Sequence, residues 1–77
     1  MAEIIYTVEE QIGVLSQKGK YSVEVNVINW NNKGAKVDIR RWSEEEDGKR
    51  AGKGTTLTHD EAQKLVELLT DYLKGAK

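Results

Sequence analysis

Apolar and polar residues alternate with period two across residues 21–30. Tyr21, Val23, Val25 and Val27 fall on one side, and Ser22, Glu24, Asn26, Ile28 and Trp30 on the other. Residues 36–42 repeat the pattern, with Val37 and Ile39 on the apolar side and Lys36, Asp38, Arg40 and Trp42 on the polar one. Side chains alternate across a strand, so both segments predict strands with one packed face and one wet face. The Asn-Asn-Lys-Gly stretch between them tolerates positive φ and predicts a hairpin turn. Pairing either Trp30 or Ile28 with Lys36 puts Trp30 and Trp42 on one face, at opposite ends of the hairpin.

Residues 4–16 fit a helical stripe through Ile4, Val8, Ile12 and Leu15 and also a strand alternation through Ile4, Tyr6, Val8, Ile12 and Val14. β-Branched enrichment and Gly13 favour the strand, with a bend or bulge near Glu10 or Gly13. Residues 17–20 predict a turn around Gly19. Residues 44–48 read as a long acidic turn, and residues 49–57 as a short edge strand guarded by lysines. The helix is the plainest element. Thr58 and Glu61 form a capping box, Asp60 suits the positive end of the dipole, and Gly75 follows as a stop. Ala62, Leu65, Val66, Leu69, Tyr72 and Leu73 make one apolar face, which Leu68 widens. Such a helix is expected to cover the valine face and still offer a flank to a second copy.

Seventy-seven residues make a single domain over residues 1–77. A chain this short buries only ~60% of its unfolded surface. With 38% hydrophobic residues, no Phe and no Cys, the core is thin and no disulfide can reinforce it. Self-association through Leu65, Leu69 and Tyr72 is therefore expected. No apolar run reaches the ~18 residues of a membrane span, and residues 1–10 do not read as a signal peptide, so a cytoplasmic location without membrane association is expected.

The net charge of −1 hides a segregation: residues 18–53 hold nine basic side chains against six acidic ones. A local basic field is what phosphates meet. On the polar sheet face, Trp30 and Trp42 stand beside Asn26, Lys36 and Arg40, offering π-faces for bases and cations for backbone. Lys53 between two glycines adds a side chain and exposed N–H groups for phosphate. His59 is the single histidine and opens the helix. No nucleophile–base pair, carboxylate dyad or metal-ligand cluster is legible, so no catalytic residue, metal or cofactor is assigned.

From residue 28 to 69 the chain resembles the positive-cofactor-four family of transcriptional coactivators and its bacterial relatives, the YdbC-type single-stranded-DNA-binding proteins. The matching pieces are Trp30 ahead of Lys33-Gly34, the strand Val37-Asp38-Ile39-Arg40 followed by Trp42, and the acidic-Gly turn of residues 44–48. Arg50 with Gly52-Lys53-Gly54 and the Thr56-Leu57-Thr58 lead into the helix complete the series. The family commonly carries a proline where this chain has Ala51. The resemblance implies an α+β protomer, a four-stranded antiparallel curved sheet followed by one C-terminal helix (ββββα), paired into a homodimer. It implies single-stranded DNA bound largely without sequence preference, with Trp30 and Trp42 stacking on bases. Lys36, Arg40, Arg50 and Lys53 would hold the backbone, with Lys18, Lys20 and Lys33 near the same path.

The leading expectation is thus a non-enzymatic, dimeric single-stranded-DNA-binding protein acting in transcription, replication or repair, in the cytoplasm or on the nucleoid. An adaptor that anchors a protein partner on exposed tryptophans and a single-stranded RNA binder remain open beside it.

Overall fold

The computed structural model describes residues 5–75. Four strands follow one another, β1 (Tyr6–Lys18), β2 (Tyr21–Trp30), β3 (Ala35–Glu45) and β4 (Gly48–Leu57), and the helix α1 (His59–Gly75) ends the order. They form one antiparallel sheet in the sequence order β1-β2-β3-β4. The ββββα arrangement expected from the sequence is the observed one. Ile4, where the sequence starts the first strand, lies outside the described residues.

In the central hairpin Ile28 pairs with Lys36, Asn26 with Asp38, Glu24 with Arg40 and Ser22 with Trp42. Asn31 and Asn32 take φ of 54° and 59°, the left-handed conformation that asparagine tolerates. Asn31 also ties the entry of β1 down: its N–H donates to the Ile5 carbonyl at 2.6 Å, and its Oδ1 accepts from the Ile5 N–H at 3.1 Å.

β1 slips register against β2 three times, leaving Glu9, Ile12 and Leu15 without partners in the ladder. Each bulge adds a residue, bends the strand and raises its twist. The expected bend near Glu10 and Gly13 is therefore present, but as part of a series. Its consequence is visible in two rings. Tyr6 is level with Trp30, and Trp42 is level with Ser22. Eight residues of strand would put those levels ~26 Å apart in a flat sheet, yet the Tyr6 and Trp42 centroids lie 5.9 Å apart. The sheet curls hard toward its polar face.

That curl reverses the expected burial. Ser22, Glu24, Asn26, Ile28 and Asp38 are buried on the inner, concave face, while Val23, Val25, Val27, Val37 and Ile39 are only half-buried on the outer one. Trp42 is 3% exposed, so the expectation of two water-facing tryptophans fails for it, and Trp30 is half-buried. Alternation identifies which residues share a face, but curvature decides which face is covered.

Two further expectations change. The acidic turn is short, because Glu44 pairs with Lys49 and Glu45 with Gly48, leaving Glu46 and Asp47 as the tip. The helix does not cover the valines: it touches the sheet only lightly along β3 and β4, and no residue of it is buried. Its cap is as expected, with the Thr58 N–H donating to Glu61 Oε1 at 2.9 Å and the Glu61 N–H to Thr58 Oγ1 at 3.1 Å.

Candidate nucleic-acid interface

The curl gathers two clusters on the concave face. The first is built on Asp38, which is 0% exposed. Arg40 donates from Nε to Asp38 Oδ1 at 2.8 Å and from Nη2 to Oδ2 at 2.8 Å, a bidentate pair. Trp30 Nε1 donates to the same Oδ2 at 3.1 Å, and the guanidinium lies 4.6 Å from the Trp30 ring centroid. Arg40 Nη1 donates to the Gly52 carbonyl at 2.9 Å, so the side chain reaches across to β4.

Beside this cluster opens a cleft of about 450 Å³, lined by Ile28, Trp30, Asn31, Lys33, Gly34, Lys36, Arg40 and Thr56. Such a volume lies within the ~300–1,000 Å³ typical of ligand sites. Lys33 and Lys36 are exposed on it and form no ion pair among the described residues. This is where aromatic, guanidinium and unpaired ammonium groups meet.

The second cluster surrounds Trp42. Tyr6 packs between the two tryptophans, 4.9 Å from the Trp30 centroid and 5.9 Å from that of Trp42. Lys49 lies 5.8 Å over the Trp42 ring and donates to Glu24 Oε2 at 2.6 Å. Ser22 Oγ donates to the same oxygen at 2.7 Å. Burial by itself would raise the Glu24 carboxyl; the hydrogen bonds from Lys49 and Ser22, with the lysine charge, outweigh it and hold the pKa below the ordinary value. Trp42 Nε1 is shielded from solvent and has no acceptor among the described residues. A pocket of about 100 Å³ opens here between Tyr6, Gln11, Asn26, Trp42 and Lys49.

The structure therefore brings Trp30, Lys33, Lys36 and Arg40 together and sets buried Asn26 and Trp42 beside them. Lys18 goes elsewhere. It is level with Tyr21, whose ring takes Arg41 at 4.7 Å and Lys20 at 5.4 Å on the valine side of the sheet. Lys20 also sits 3.5 Å from Glu45, whose carboxyl is lowered by a hydrogen bond with Ser43 and then by the Lys20 charge. Arg50 is exposed, 3.7 Å from Asp47 near the β3–β4 turn, and Lys53 is exposed on β4. Gly54 has a packing reason: a methyl there would collide with the Arg40 side chain and the Ile39 carbonyl. On α1, Leu65 is half-buried, and Leu69 and Tyr72 are exposed.

Tyr6, Glu24, Asp38 and Lys49 were not among the sequence-derived site residues. Asp38 and Glu24 carried a signal only in that alternation puts them on the same sheet face as Trp30, Arg40 and Trp42; their burial was not legible. Tyr6 and Lys49 carried none, because their places depend on the curl.

Two comparisons with known proteins bear on the family of the chain. An uncharacterised protein of Treponema pallidum (strain Nichols) is 43% identical over 65 residues, covering 83% of this chain and 74% of that protein. Residues 17–68, which include β2, β3, β4, both tryptophans and the cleft, match the family described as Transcriptional Coactivator p15 (PC4). The chain belongs to that family, which brings with it nucleic-acid binding and a transcription-related role.

Proposed function

We propose that this protein binds single-stranded DNA with little sequence preference, without catalysis, as a homodimer acting in transcription, replication or repair in the cytoplasm. The observation that carries the reading is the cleft in which Trp30 and Arg40 stand beside Lys33 and Lys36, both exposed and without an ion-pair partner among the described residues. Every base has a π-face, so stacking supports affinity without selecting sequence, and lysines add counterion release. A duplex would not fit the same chemistry, since its bases are already stacked.

Two apolar surfaces support the dimer. The outer valine face is half-open, and α1 leaves Val66, Leu69, Tyr72 and Leu73 exposed, Tyr72 at 70%. A second copy that covers both would remove apolar area worth ~25 cal/mol per Å².

Titration of intrinsic tryptophan fluorescence with single-stranded oligodeoxynucleotides of graded length tests the reading. Binding that weakens steeply with salt is expected; salt-insensitive binding of a protein partner alone would favour an adaptor instead. Equal-length RNA competing as well as DNA would assign the polymer differently, because stacking and phosphate contacts do not read the sugar.

A further inference from the structure

The basic side chains of the concave face fall into two kinds. Lys33 and Lys36 are exposed and unpaired among the described residues. Arg40 is committed: its side chain is 15% exposed, and Asp38, with no exposure, holds it at 2.8 Å. A guanidinium has five N–H donors on three nitrogens, and each nitrogen already donates one, to Asp38 or to the Gly52 carbonyl. A phosphate approaching Arg40 would meet the Asp38 carboxylate directly behind the cation, which cancels most of its field. The guanidinium carbon, in contrast, lies over the Trp30 ring, 4.6 Å from its centroid, and both side chains line the cleft. Asp38 fixes both members of that pair, through the bidentate bonds from Arg40 and the bond from Trp30 Nε1.

We infer that the Trp30–Arg40 pair is a rigid shelf for a nucleobase, that Asp38 is the positioning residue that locks the shelf, and that the phosphates of the same nucleotides belong to Lys33 and Lys36. The inference rests on the single-stranded-DNA reading above and divides the labour inside it. Guanidinium planes stack on bases as aromatic rings do, and a pre-fixed plane loses little rotamer freedom when a base arrives.

Binding of a fluorescein-labelled oligothymidylate, measured by anisotropy over a range of salt, separates the roles. Arg40→Lys keeps the charge but loses the plane and the fork, and is expected to weaken binding about tenfold, the scale of one lost stack, with an unchanged salt slope. Asp38→Asn is expected to weaken binding and to steepen the slope by about 0.7, because the released guanidinium becomes one more phosphate contact on a single strand. A purely structural role for Asp38 would not move the slope, so an unchanged slope in that variant overturns the inference. So does a flattening by about 0.7 in Arg40→Ala, or wild-type affinity in Arg40→Lys. If Asp38→Asn fails to fold, the two Arg40 variants decide alone. Wild-type protein that does not bind the oligomer overturns the DNA reading itself, and this inference with it; wild-type binding with a flattened Arg40→Ala slope overturns only the inference.

Discussion

Lys49 Nζ donates to Glu24 Oε2 at 2.6 Å, joining the start of β4 to the middle of β2 across the ring of Trp42. Glu24 is buried while the Lys49 side chain is 39% exposed, so one end of the pair is dry and the other wet. The pair closes the concave face over Trp42 and makes that closure depend on the carboxylate.

Its pH dependence follows from the lowered Glu24 pKa. A carboxyl whose pKa falls on folding contributes stability that is present above its unfolded value, about 4.3, and is lost as pH drops through the folded value. Glu24→Gln should therefore destabilise the protein by about 1–2 kcal/mol at neutral pH, the half-wet lysine keeping the figure low. Urea denaturation of both proteins from pH 7 downward should show the difference shrinking below about pH 4.3. A gap that stays constant into strong acid would mean the carboxylate charge is not what holds the strap.

The two tryptophans should separate. Trp42 is buried between Tyr6 and Lys49, so Trp42→Ala should cost about 3–5 kcal/mol of stability, the range for emptying a large aromatic site. Trp30 is half-buried at the cleft, and Trp30→Ala should chiefly weaken oligonucleotide binding, by about 1–3 kcal/mol. Thermal melts run beside binding titrations check this. A Trp42→Ala protein that melts like the wild type would place that ring in solvent, against the structure.

What the sequence made legible is local. The valine alternation, the Asn-Asn-Lys-Gly turn and the Thr58–Glu61 capping box each depend on neighbours in the chain, and each stands in the structure. What it hid is the curl. Three register slips in β1 and the close approach of Gly54 to Arg40 are spread over distant segments, and together they fold the polar face inward. That is why alternation alone puts Trp42 in water, why it does not place Tyr6 between the tryptophans, and why it leaves Lys49 as a guard of the edge strand. The cleft lysines were legible because they flank the turn, where no curvature can bury them.

The proposed dimer predicts a mass of twice 8.7 kDa in sedimentation equilibrium at micromolar concentration. Leu69 and Tyr72 lie exposed on one stripe of a helix with no buried residue. An aspartate at either position puts a charge into the apolar contact, and each variant should weaken association at least about tenfold, or ~1.4 kcal/mol. Circular dichroism should show the helix retained at concentrations where it still pairs. A wild-type chain that sediments as a monomer would remove the dimer, and the half-open valine face would then need another cover.

The last prediction concerns the unpaired lysines. Lys33 sits in the turn after β2 and Lys36 opens β3, both on the cleft that carries Trp30. Neither has a carboxylate partner among the described residues, so each is available to release a counterion from a bound strand. Lys33→Ala and Lys36→Ala should each flatten the slope of log affinity against log salt by about 0.7. Both should weaken binding to thymidine and mixed oligomers alike, since phosphate contacts carry no base information. Lys64→Ala is the control, because Lys64 lies on the helix 3.8 Å from Glu67 and away from the cleft. If Lys64→Ala flattens the slope as much as Lys36→Ala, the strand does not follow the cleft, and the phosphate path must be sought along the helix.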